Sequence, residues 1–216
     1  MSKTSFSKIP VAKPLLSGNE VKYVKDAVSS GEISGNFGKY ITRFESEFAG
    51  FCGVKYGVAT TSGTTALHVA LVALEIKEGD EVVCPAFTNM ATFFAVRYTG
   101  AVPVAVDSEV NTWNINPDLI ERAITSRTKA IIAVHIYGHP CDMDKIQKIA
   151  DEHDLFVIED AAEAHGALYK GKKVGSLSDV ACFSFYANKI LTTGEGGMCV
   201  TDHEELASKI RSLKSL

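Results

Sequence analysis

The stretch KAIIAVHIYGHPCDMDKIQKIADEHDLFVIED, residues 129–160, holds two short apolar runs separated by a more polar segment. The first run, 129–138, and the last, 155–160, are typical of buried strands because nearly every position is apolar. The segment between them, 143–154, is amphipathic, as a helix on the surface of a sheet is. The stretch therefore predicts a strand–helix–strand unit whose two strands run parallel.

The same alternation extends in both directions along the chain. Further strands are predicted at 56–60, 80–85, 101–107, 179–185 and 196–202, and further helices at 15–32, 37–53, 63–76, 89–100 and 116–124. This order predicts an α/β fold in which helices cover both faces of a mostly parallel sheet. Ligands of such folds bind at the carboxyl ends of the strands, so polar residues there are the candidates for a site.

Composition and charge narrow the classes of partner. The chain has 216 residues and a net charge of −4 with no basic stripe, so a nucleic acid is not an expected partner. No apolar run is long enough to span a bilayer, so a membrane partner is not expected either. The five cysteines are odd in number and widely spaced, which favours reduced thiols over a disulfide framework and predicts a cytoplasmic protein.

A small polar cluster lies where the strand at 56–60 meets the next helix. Ser62, Gly63 and Thr64 stand at this junction, within TTSGTTAL. The first-turn N–H groups of a helix lack partners inside the helix and the helix dipole is positive there, so a phosphate group binds well at such a position. The alternative, an ordinary Ser or Thr cap of the helix, stays open.

Two acidic residues follow the last strand of the opening stretch. Asp160 ends a strongly apolar run, where a carboxylate is costly unless it has a partner. A cationic ring nitrogen of a ligand would be a suitable partner; the alternative is a cap of a following helix. Glu163 lies three residues further on and either lies beside the same ligand or completes a capping box.

A single lysine, Lys189, lies in the nearly uncharged run FSFYANKILTTGEGGM, residues 183–198. A lysine in a desolvated pocket acts as a nucleophilic amine that forms a Schiff base with a carbonyl group. The glycines behind it would let the backbone approach a bound ring closely. The alternative is a lysine that extends from the strand end into water.

These three features together are what a pyridoxal 5′-phosphate (PLP) site requires: a phosphate site, a carboxylate for the ring nitrogen and a Schiff-base lysine.

Other motifs in the sequence give weaker indications of a ligand site. No G-x-G-x-x-G occurs, so there is no dinucleotide fingerprint. GALYKGKK, 166–173, nearly matches a P-loop but has Lys173 where the magnesium-binding Ser or Thr belongs, and is predicted to be a surface hairpin. HIYGHPC, 135–141, lacks the further spacing of a metal site and is predicted to be a structural turn, so no metal site is predicted.

The sequence resembles the sugar-nucleotide aminotransferases of the DegT/DnrJ/EryC1/StrS family. The resemblance is carried by TSGTTALHVALVAL, GDEVVCPAFT, VHIYGHPCDMDKI, VIEDAAEAHGALYKGKKVGSLSD and FSFYANKILTTGEGGM. It implies the PLP-dependent, aspartate aminotransferase-like fold (fold type I). It further implies that 18–216 form the PLP-binding large domain after an N-terminal segment, 1–17, and that the small C-terminal domain of the relatives is missing.

The resemblance also implies a role for each matching position. Lys189 would form the Schiff base with PLP and then carry a proton between cofactor and substrate. Asp160 would pair with the protonated pyridine nitrogen, and Glu163 would lie near the cofactor's 3-hydroxyl group. The phosphate would be held by Ser62, Gly63, Thr64 and Ser184.

Position 89 departs from the family pattern. An aromatic residue that stacks on the cofactor ring is common there, just after the threonine of PAFT, and this chain has Asn89. Asn89 is still expected to lie at the cofactor, with the stacking left to Phe87 or another side chain.

The lysine at position 189 also implies amino transfer, because relatives with histidine at this position catalyse a dehydration instead. The resemblance therefore implies an aminotransferase with two half-reactions and a homodimeric assembly. Glutamate would donate its amino group to give pyridoxamine phosphate, and a nucleotide-linked 4-keto-6-deoxy sugar would accept it. Two alternatives stay open: a non-catalytic fragment that keeps the fold and self-association, and another PLP activity such as a lyase.

Overall fold

The computed structural model describes residues 13–215. The helices in this range are α1 (Glu20–Ser30), α2 (Lys39–Cys52), α3 (Gly63–Ala73), α4 (Met90–Tyr98), α5 (Pro117–Ala123), α6 (Met143–His153) and α7 (Glu204–Lys214). The strands are β1 (Tyr56–Thr60), β2 (Glu81–Pro85), β3 (Val102–Val106), β4 (Thr128–Val134), β5 (Phe156–Asp160), β6 (Leu168–Tyr169), β7 (Lys172–Lys173), β8 (Val180–Ser184) and β9 (Gly197–Thr201). Most of the predicted N-terminal segment, 1–17, lies outside the described residues, and the domain boundary at residue 18 stays a prediction.

Seven strands form one sheet in the order β1-β9-β8-β5-β4-β2-β3. The β9 strand runs antiparallel to both of its neighbours, β1 and β8, and the other neighbouring pairs are parallel. The connection 185–196 forms turns without a helix, whereas parallel neighbours are usually joined by a crossover helix. The sheet is therefore mostly parallel, as the sequence predicts.

Helices bury both faces of this sheet, and side chains alternate between the faces along each strand. Ile132 and Ile158 pack with α3, α4 and α7 on one face. Ile131 and Val157, their neighbours in β4 and β5, pack with α5 and α6 on the other face. The α2 helix covers the part of that second face formed by β8 and β9. Burial on both faces explains why the strands are apolar at nearly every position.

One predicted strand ends earlier than expected. The run 129–138 leaves the sheet at the end of β4, and 136–138 form one turn of 3-10 helix. The N–H of His135 donates to the carbonyl of Asp160 at 3.1 Å, and Tyr137 has a left-handed φ of 49° that ends the extended conformation. The prediction of a strand as far as residue 138 was wrong because apolar composition marks burial and does not mark the turn.

Two motifs that resembled ligand sites have ordinary local structures. The segment 166–173 contains the predicted surface hairpin, in which β6 pairs antiparallel with β7. The segment 135–141 forms the predicted turn. Residues 13–215 contain no group of three or more His, Cys, Asp or Glu side chains that could hold a metal ion.

The five cysteines are buried free thiols, as the sequence predicts. Cys182 and Cys199 lie opposite each other on β8 and β9. In the described part of the chain, no helix combines the length and the apolar character needed to cross a lipid bilayer.

A buried carboxylate joins α2 and α7 to the first strand. Glu45 in α2 accepts a hydrogen bond from the Ala59 N–H at 2.9 Å. It also pairs with Arg211 and Lys214 of α7, both at 2.8 Å. Burial raises the pKa of the Glu45 carboxyl, but Lys214, the Ala59 N–H and Arg211 outweigh this effect and hold the pKa below its usual value. The group is therefore charged at neutral pH and stabilises the strand that leads to the TTSGTTAL junction.

The Glu45→Gln variant should lower the free energy of unfolding by roughly 2–4 kcal/mol at pH 7, because two cations and a backbone N–H lose a buried charged partner. Urea denaturation followed by circular dichroism measures the change. Since the pKa of Glu45 is lowered by folding, this stabilisation is present above the pKa of an unfolded glutamate and is lost as the pH falls through the folded value. The difference between wild type and variant should therefore shrink in acid.

The matched control is Glu47→Gln, because Glu47 lies in the same helix but forms an exposed pair with Arg43 at 2.9 Å. This variant should change the free energy of unfolding by less than about 0.5 kcal/mol. Equal losses in the two variants would mean that the buried cluster adds no stability of its own.

Candidate active site

A cavity of about 390 Å³ lies at the carboxyl ends of the parallel strands. All eight residues that the sequence singles out line it: Ser62, Gly63, Thr64, Asn89, Asp160, Glu163, Ser184 and Lys189. These residues are far apart along the chain. The sheet brings them together because the carboxyl ends of its parallel strands share one edge.

The α3 end of the cavity is formed by hydroxyl groups and by the start of the helix. The Ser62 hydroxyl accepts from the N–H of Thr65 at 3.1 Å, and the Ser62 N–H donates to the Thr65 hydroxyl at 2.9 Å. Ser62 is thus the N-cap of α3. Gly63 and Thr64 line the cavity where the helix dipole is positive. A Cβ added at Gly63 would lie 2.7 Å from the Cβ of Ser184, so glycine allows α3 to approach β8 this closely.

The carboxylate of Asp160 lines the same cavity, although the residue is only 6% exposed. Its Oδ2 accepts from the Thr92 hydroxyl at 2.9 Å, and its Oδ1 accepts from the Ala162 N–H at 3.3 Å. Burial raises the pKa of this carboxyl above its usual value, and the bonds from Thr92 and Ala162 oppose the rise only in part. Residues 161–167 form turns, so Asp160 does not cap a helix, and that alternative is wrong.

The Glu163 carboxylate connects the lysine to a neighbouring turn. Lys189 Nζ lies 3.4 Å from Glu163 Oε1, and the N–H of Tyr137 donates to Oε2 at 3.0 Å. The Lys189 side chain is 18% exposed, which does not fit a lysine that extends freely into water. Glu163 does not complete a capping box, because no helix begins in this segment.

Asn89 and Phe87 lie in different places. The Asn89 side chain caps α4 by accepting from the Ala91 N–H at 2.9 Å, at the rim of the cavity. Phe87 is not a lining residue of this cavity; its ring lies 5.6 Å from that of Trp113 in a neighbouring one. Phe87 therefore does not line the cavity in which it, or another side chain, is expected to stack on the cofactor ring.

Two side chains that support the lining of this cavity are not predicted from the sequence. Thr92 donates to Asp160 and also shares a hydrogen bond of 2.9 Å with the Thr88 hydroxyl. Thr88 and Thr92 are four residues apart at the junction of β2 and α4. This spacing is common and does not indicate a functional role. Thr88 lines the cavity, so this pair extends the polar lining from Asp160 to the rim.

The second is His135, which lies in the segment 135–141 that the sequence predicts to be a structural turn and not a metal site. Its ring is fully buried in the cavity wall, with Nδ1 accepting from the Cys141 N–H and Nε2 contacting Glu159, both at 3.1 Å. A ring nitrogen that accepts carries no proton, so the proton lies on Nε2 and is donated to Glu159. Glu159 also accepts from the N–H groups of Gly175 and Leu177, which fixes the loop before β8.

This sheet, with a helix N-terminus, a buried carboxylate and a lysine at one edge, is the large-domain fold of PLP-dependent aminotransferases. The chain belongs to the DegT/DnrJ/EryC1/StrS aminotransferase family, whose model matches residues 14–216. The family and the fold predicted from the sequence are both confirmed.

Three relatives illustrate the similarity. GDP-perosamine synthase from Caulobacter vibrioides is 53% identical over 207 residues, which cover 96% of this chain and 56% of that protein. The structure of an aminotransferase from Psychrobacter cryohalolentis matches with a TM-score of 0.91 and 43% identity, over 94% of this chain and 52% of that one. The PLP form of a protein described as a sugar aminotransferase, from Streptococcus pneumoniae, matches with a TM-score of 0.89 and 31% identity, over 96% and 58% of the two chains. The chain thus spans about half the length of the curated relatives it matches.

The Gly63→Ala variant should lower the free energy of unfolding by roughly 1–3 kcal/mol and weaken any ligand bound at the start of α3, because the added methyl group overlaps Ser184. Urea denaturation measures the stability. Gly50→Ala in α2 is the matched control, since a Cβ there meets nothing within 4 Å. That change should raise the stability by about 0.5–1 kcal/mol, because alanine is the better helix former. A stable Gly63→Ala protein would show that the approach of α3 to β8 is not tight.

Proposed function

We propose that this chain carries the PLP-binding part of an aminotransferase that transfers an amino group from glutamate to a nucleotide-linked 4-keto-6-deoxy sugar. The observation that carries the proposal is the buried Asp160 carboxylate. Burial raises the pKa of this group, and two hydrogen bonds stabilise its charged form only in part. A protonated pyridine nitrogen is the kind of cation that would stabilise the charged form of such a group. The residues of the cavity therefore fit PLP.

The remaining lining residues divide into two groups around that carboxylate. When bound, PLP supplies an electron sink that allows an amino group to be exchanged for a carbonyl oxygen. The phosphate would be held at the start of α3, where the helix dipole favours an anion. The residues proposed for the phosphate are Ser62, Gly63, Thr64 and Ser184. Asn89 and Glu163 would lie beside the ring.

Lys189 is the amine proposed to hold the cofactor and to move the proton. Among the described residues that line the cavity it is the one lysine, and its side chain is mostly buried. Glu163, whose Oε1 lies 3.4 Å from Nζ, would orient the amine. Because the second oxygen of Glu163 is bound to the Tyr137 N–H, the carboxylate has little freedom to follow the lysine if it swings away.

The proposed substrates rest on the family and its named members. A protein that is 53% identical over 96% of this chain is a GDP-perosamine synthase, which supports a perosamine synthase-like activity on a GDP-linked sugar. Glutamate as the amino donor and a homodimer follow from the resemblance to the family. The buried reduced thiols support a cytoplasmic location.

Purified protein mixed with PLP should gain near-visible absorbance, and borohydride reduction should then add the cofactor's mass to the peptide that contains Lys189. Peptide mass spectrometry identifies the modified residue. Lys189→Ala should abolish both signals. Lys148→Ala is the matched control, because Lys148 is a solvent-exposed lysine of α6, and it should keep both.

Glutamate added to the PLP-loaded protein should remove the near-visible absorbance and leave pyridoxamine phosphate in the protein. Chromatography of the released cofactor measures this product. Label on another lysine would count against the proposed site. Loading at Lys189 without any pyridoxamine phosphate would count against amino transfer from glutamate.

The Asp160→Asn variant should have opposite effects on stability and on cofactor binding. Because burial disfavours the charged carboxyl, the unfolding free energy of the cofactor-free protein should stay the same or rise. PLP should bind roughly 10²- to 10³-fold more weakly, because the ring nitrogen loses its charged partner. Urea denaturation and absorbance titration with PLP measure the two quantities.

The control for this variant is Asp151→Asn, at an exposed position of α6. It should change neither quantity by a measurable amount. An Asp160→Asn protein that binds PLP as tightly as the wild type would remove the main support for the proposed function.

A further inference from the structure

Two hydroxyl groups in series join the rim of the proposed cofactor cavity to the buried carboxylate of Asp160. Thr88 is half-buried and lines the cavity, whereas Thr92 is completely buried. The Thr92 hydroxyl lies 2.9 Å from the Thr88 hydroxyl and 2.9 Å from Asp160 Oδ2. In the described part of the chain, Thr92 is the one side chain that donates a hydrogen bond to this carboxylate.

The chemistry of the three groups fixes the direction of these bonds when Asp160 is charged. An ionised carboxylate only accepts hydrogen bonds, so the single proton of the Thr92 hydroxyl points to Oδ2. Thr92 then offers only lone pairs to Thr88, so the Thr88 hydroxyl donates to Thr92. The two hydroxyl dipoles therefore point their positive ends towards the carboxylate, and both stabilise its charge.

The start of α4 determines where the Thr92 hydroxyl lies. Thr92 is in the first turn of this helix, and its N–H donates to the Asn89 carbonyl at 3.1 Å. The Asn89 side chain caps the same turn by accepting from the Ala91 N–H at 2.9 Å. Asn89 thus stabilises the turn that presents Thr92 to Asp160.

The two oxygens of the Asp160 carboxylate are held unequally. Oδ2 accepts the 2.9 Å bond from Thr92, whereas Oδ1 accepts from the Ala162 N–H at 3.3 Å, which is long for such a bond. Burial raises the pKa of Asp160, and the Thr92 hydroxyl is the strongest of the contacts that oppose this rise. The orientation and the charge of the carboxylate therefore depend chiefly on one buried hydroxyl group.

We propose that Thr92 is a positioning residue for the cofactor, because it orients the Asp160 carboxylate and favours the charged form that pairs with the ring nitrogen of PLP. This inference rests on the proposed function. A carboxylate that is oriented before the ligand arrives loses less conformational freedom on binding. A neutral carboxyl offers no opposite charge to a cationic nitrogen, so loss of the hydroxyl should weaken the pairing.

Other titratable groups near Asp160 act on it without the help of Thr92. The charges of Lys189 and of a protonated His135 lower the pKa of Asp160. Burial raises the pKa of three neighbouring thiols, so they are neutral at neutral pH: Cys84, Cys141 and Cys182. The hydrogen bonds of Thr92 in the described range go to Thr88, to Asp160 and to the Asn89 carbonyl, so a change at Thr92 leaves these five groups in place.

Thr92→Val removes the hydroxyl and keeps the shape of the side chain. It should raise the pKa of Asp160 in the cofactor-free protein, because the carboxylate loses its strongest hydrogen bond. It should also raise the Kd for PLP about tenfold, as expected for the loss of one hydrogen bond to a charged group. Carbon-13 NMR titration measures the pKa, with the Asp160 signal assigned by its absence in Asp160→Asn, and absorbance titration measures the Kd.

Thr92→Ser keeps the hydroxyl and should keep both values close to those of the wild type. The matched control is Thr201→Val, because Thr201 is also buried and donates to the Asp179 carbonyl at 2.6 Å. Thr201 lies at the end of β9 that pairs with the start of β1, away from the cavity. Its replacement should lower the stability but change neither the pKa of Asp160 nor the Kd for PLP.

Thr88→Val provides a second test that leaves the bond between Thr92 and Asp160 in place. It should also raise the pKa of Asp160, but by less than Thr92→Val, because only the outer dipole is lost. If Thr92→Val does not fold, an unchanged Asp160 pKa in Thr88→Val overturns the inference.

Three other results would overturn the inference. These are an unchanged Asp160 pKa in Thr92→Val, an equal loss of PLP affinity in Thr92→Ser, and an equal loss in Thr201→Val. The pKa of Asp160 is measured without PLP, so it does not depend on the proposed function. A wild-type protein that fails to load PLP at Lys189 would count against the proposed function, whereas normal loading with equally tight binding by Thr92→Val would count against the positioning role alone.

Discussion

The burial of one carboxylate constrains the whole site. Asp160 ends β5, which lies between β4 and β8 inside the sheet, so water stabilises its charge poorly. Thr92 and Ala162 supply two hydrogen bonds, and the pKa stays raised in spite of them. The fold thus keeps an ionisable group where its charge is costly. The charge of Lys189 lowers this pKa in part, and a further cation bound in the cavity would reduce the cost of the charged carboxylate.

The turn at 136–138 links the two cavities that border it. On one side its Tyr137 N–H holds Glu163, which contacts Lys189; on the other side its Ile136 N–H is held by the buried Asn114. A displacement of this turn would therefore move both the carboxylate beside the lysine and the wall of the neighbouring cavity that Phe87 lines. The early end of β4 makes this possible, since a strand continued to residue 138 would have placed these N–H groups in the sheet.

The sequence predicted the parts of the fold that depend on burial and on strand ends. Apolar runs marked the strands, and Asp160 and Lys189 were found because each is a charged residue beside an apolar strand. The roles of Thr92 and His135 were not predictable in this way. Their partners, Asp160 and Glu159, lie 68 and 24 residues away, and such contacts depend on the order of strands in the sheet, which the alternation leaves open.

The two ends of the cavity differ in how they depend on the rest of the fold. The Asp160 and Lys189 end depends on Glu163, which bonds to residues 26 positions away on either side, and on Thr92, which lies 68 positions from Asp160. The α3 end follows β1, and β1 is tied to α7 through Glu45 and Arg211, which are 166 residues apart. Loss of the α7 contacts would therefore disturb β1, the strand that leads to the start of α3. The α3 end of the cavity is thus coupled to α7 at the end of the described residues, and the Asp160 and Lys189 end depends on contacts within 92–189.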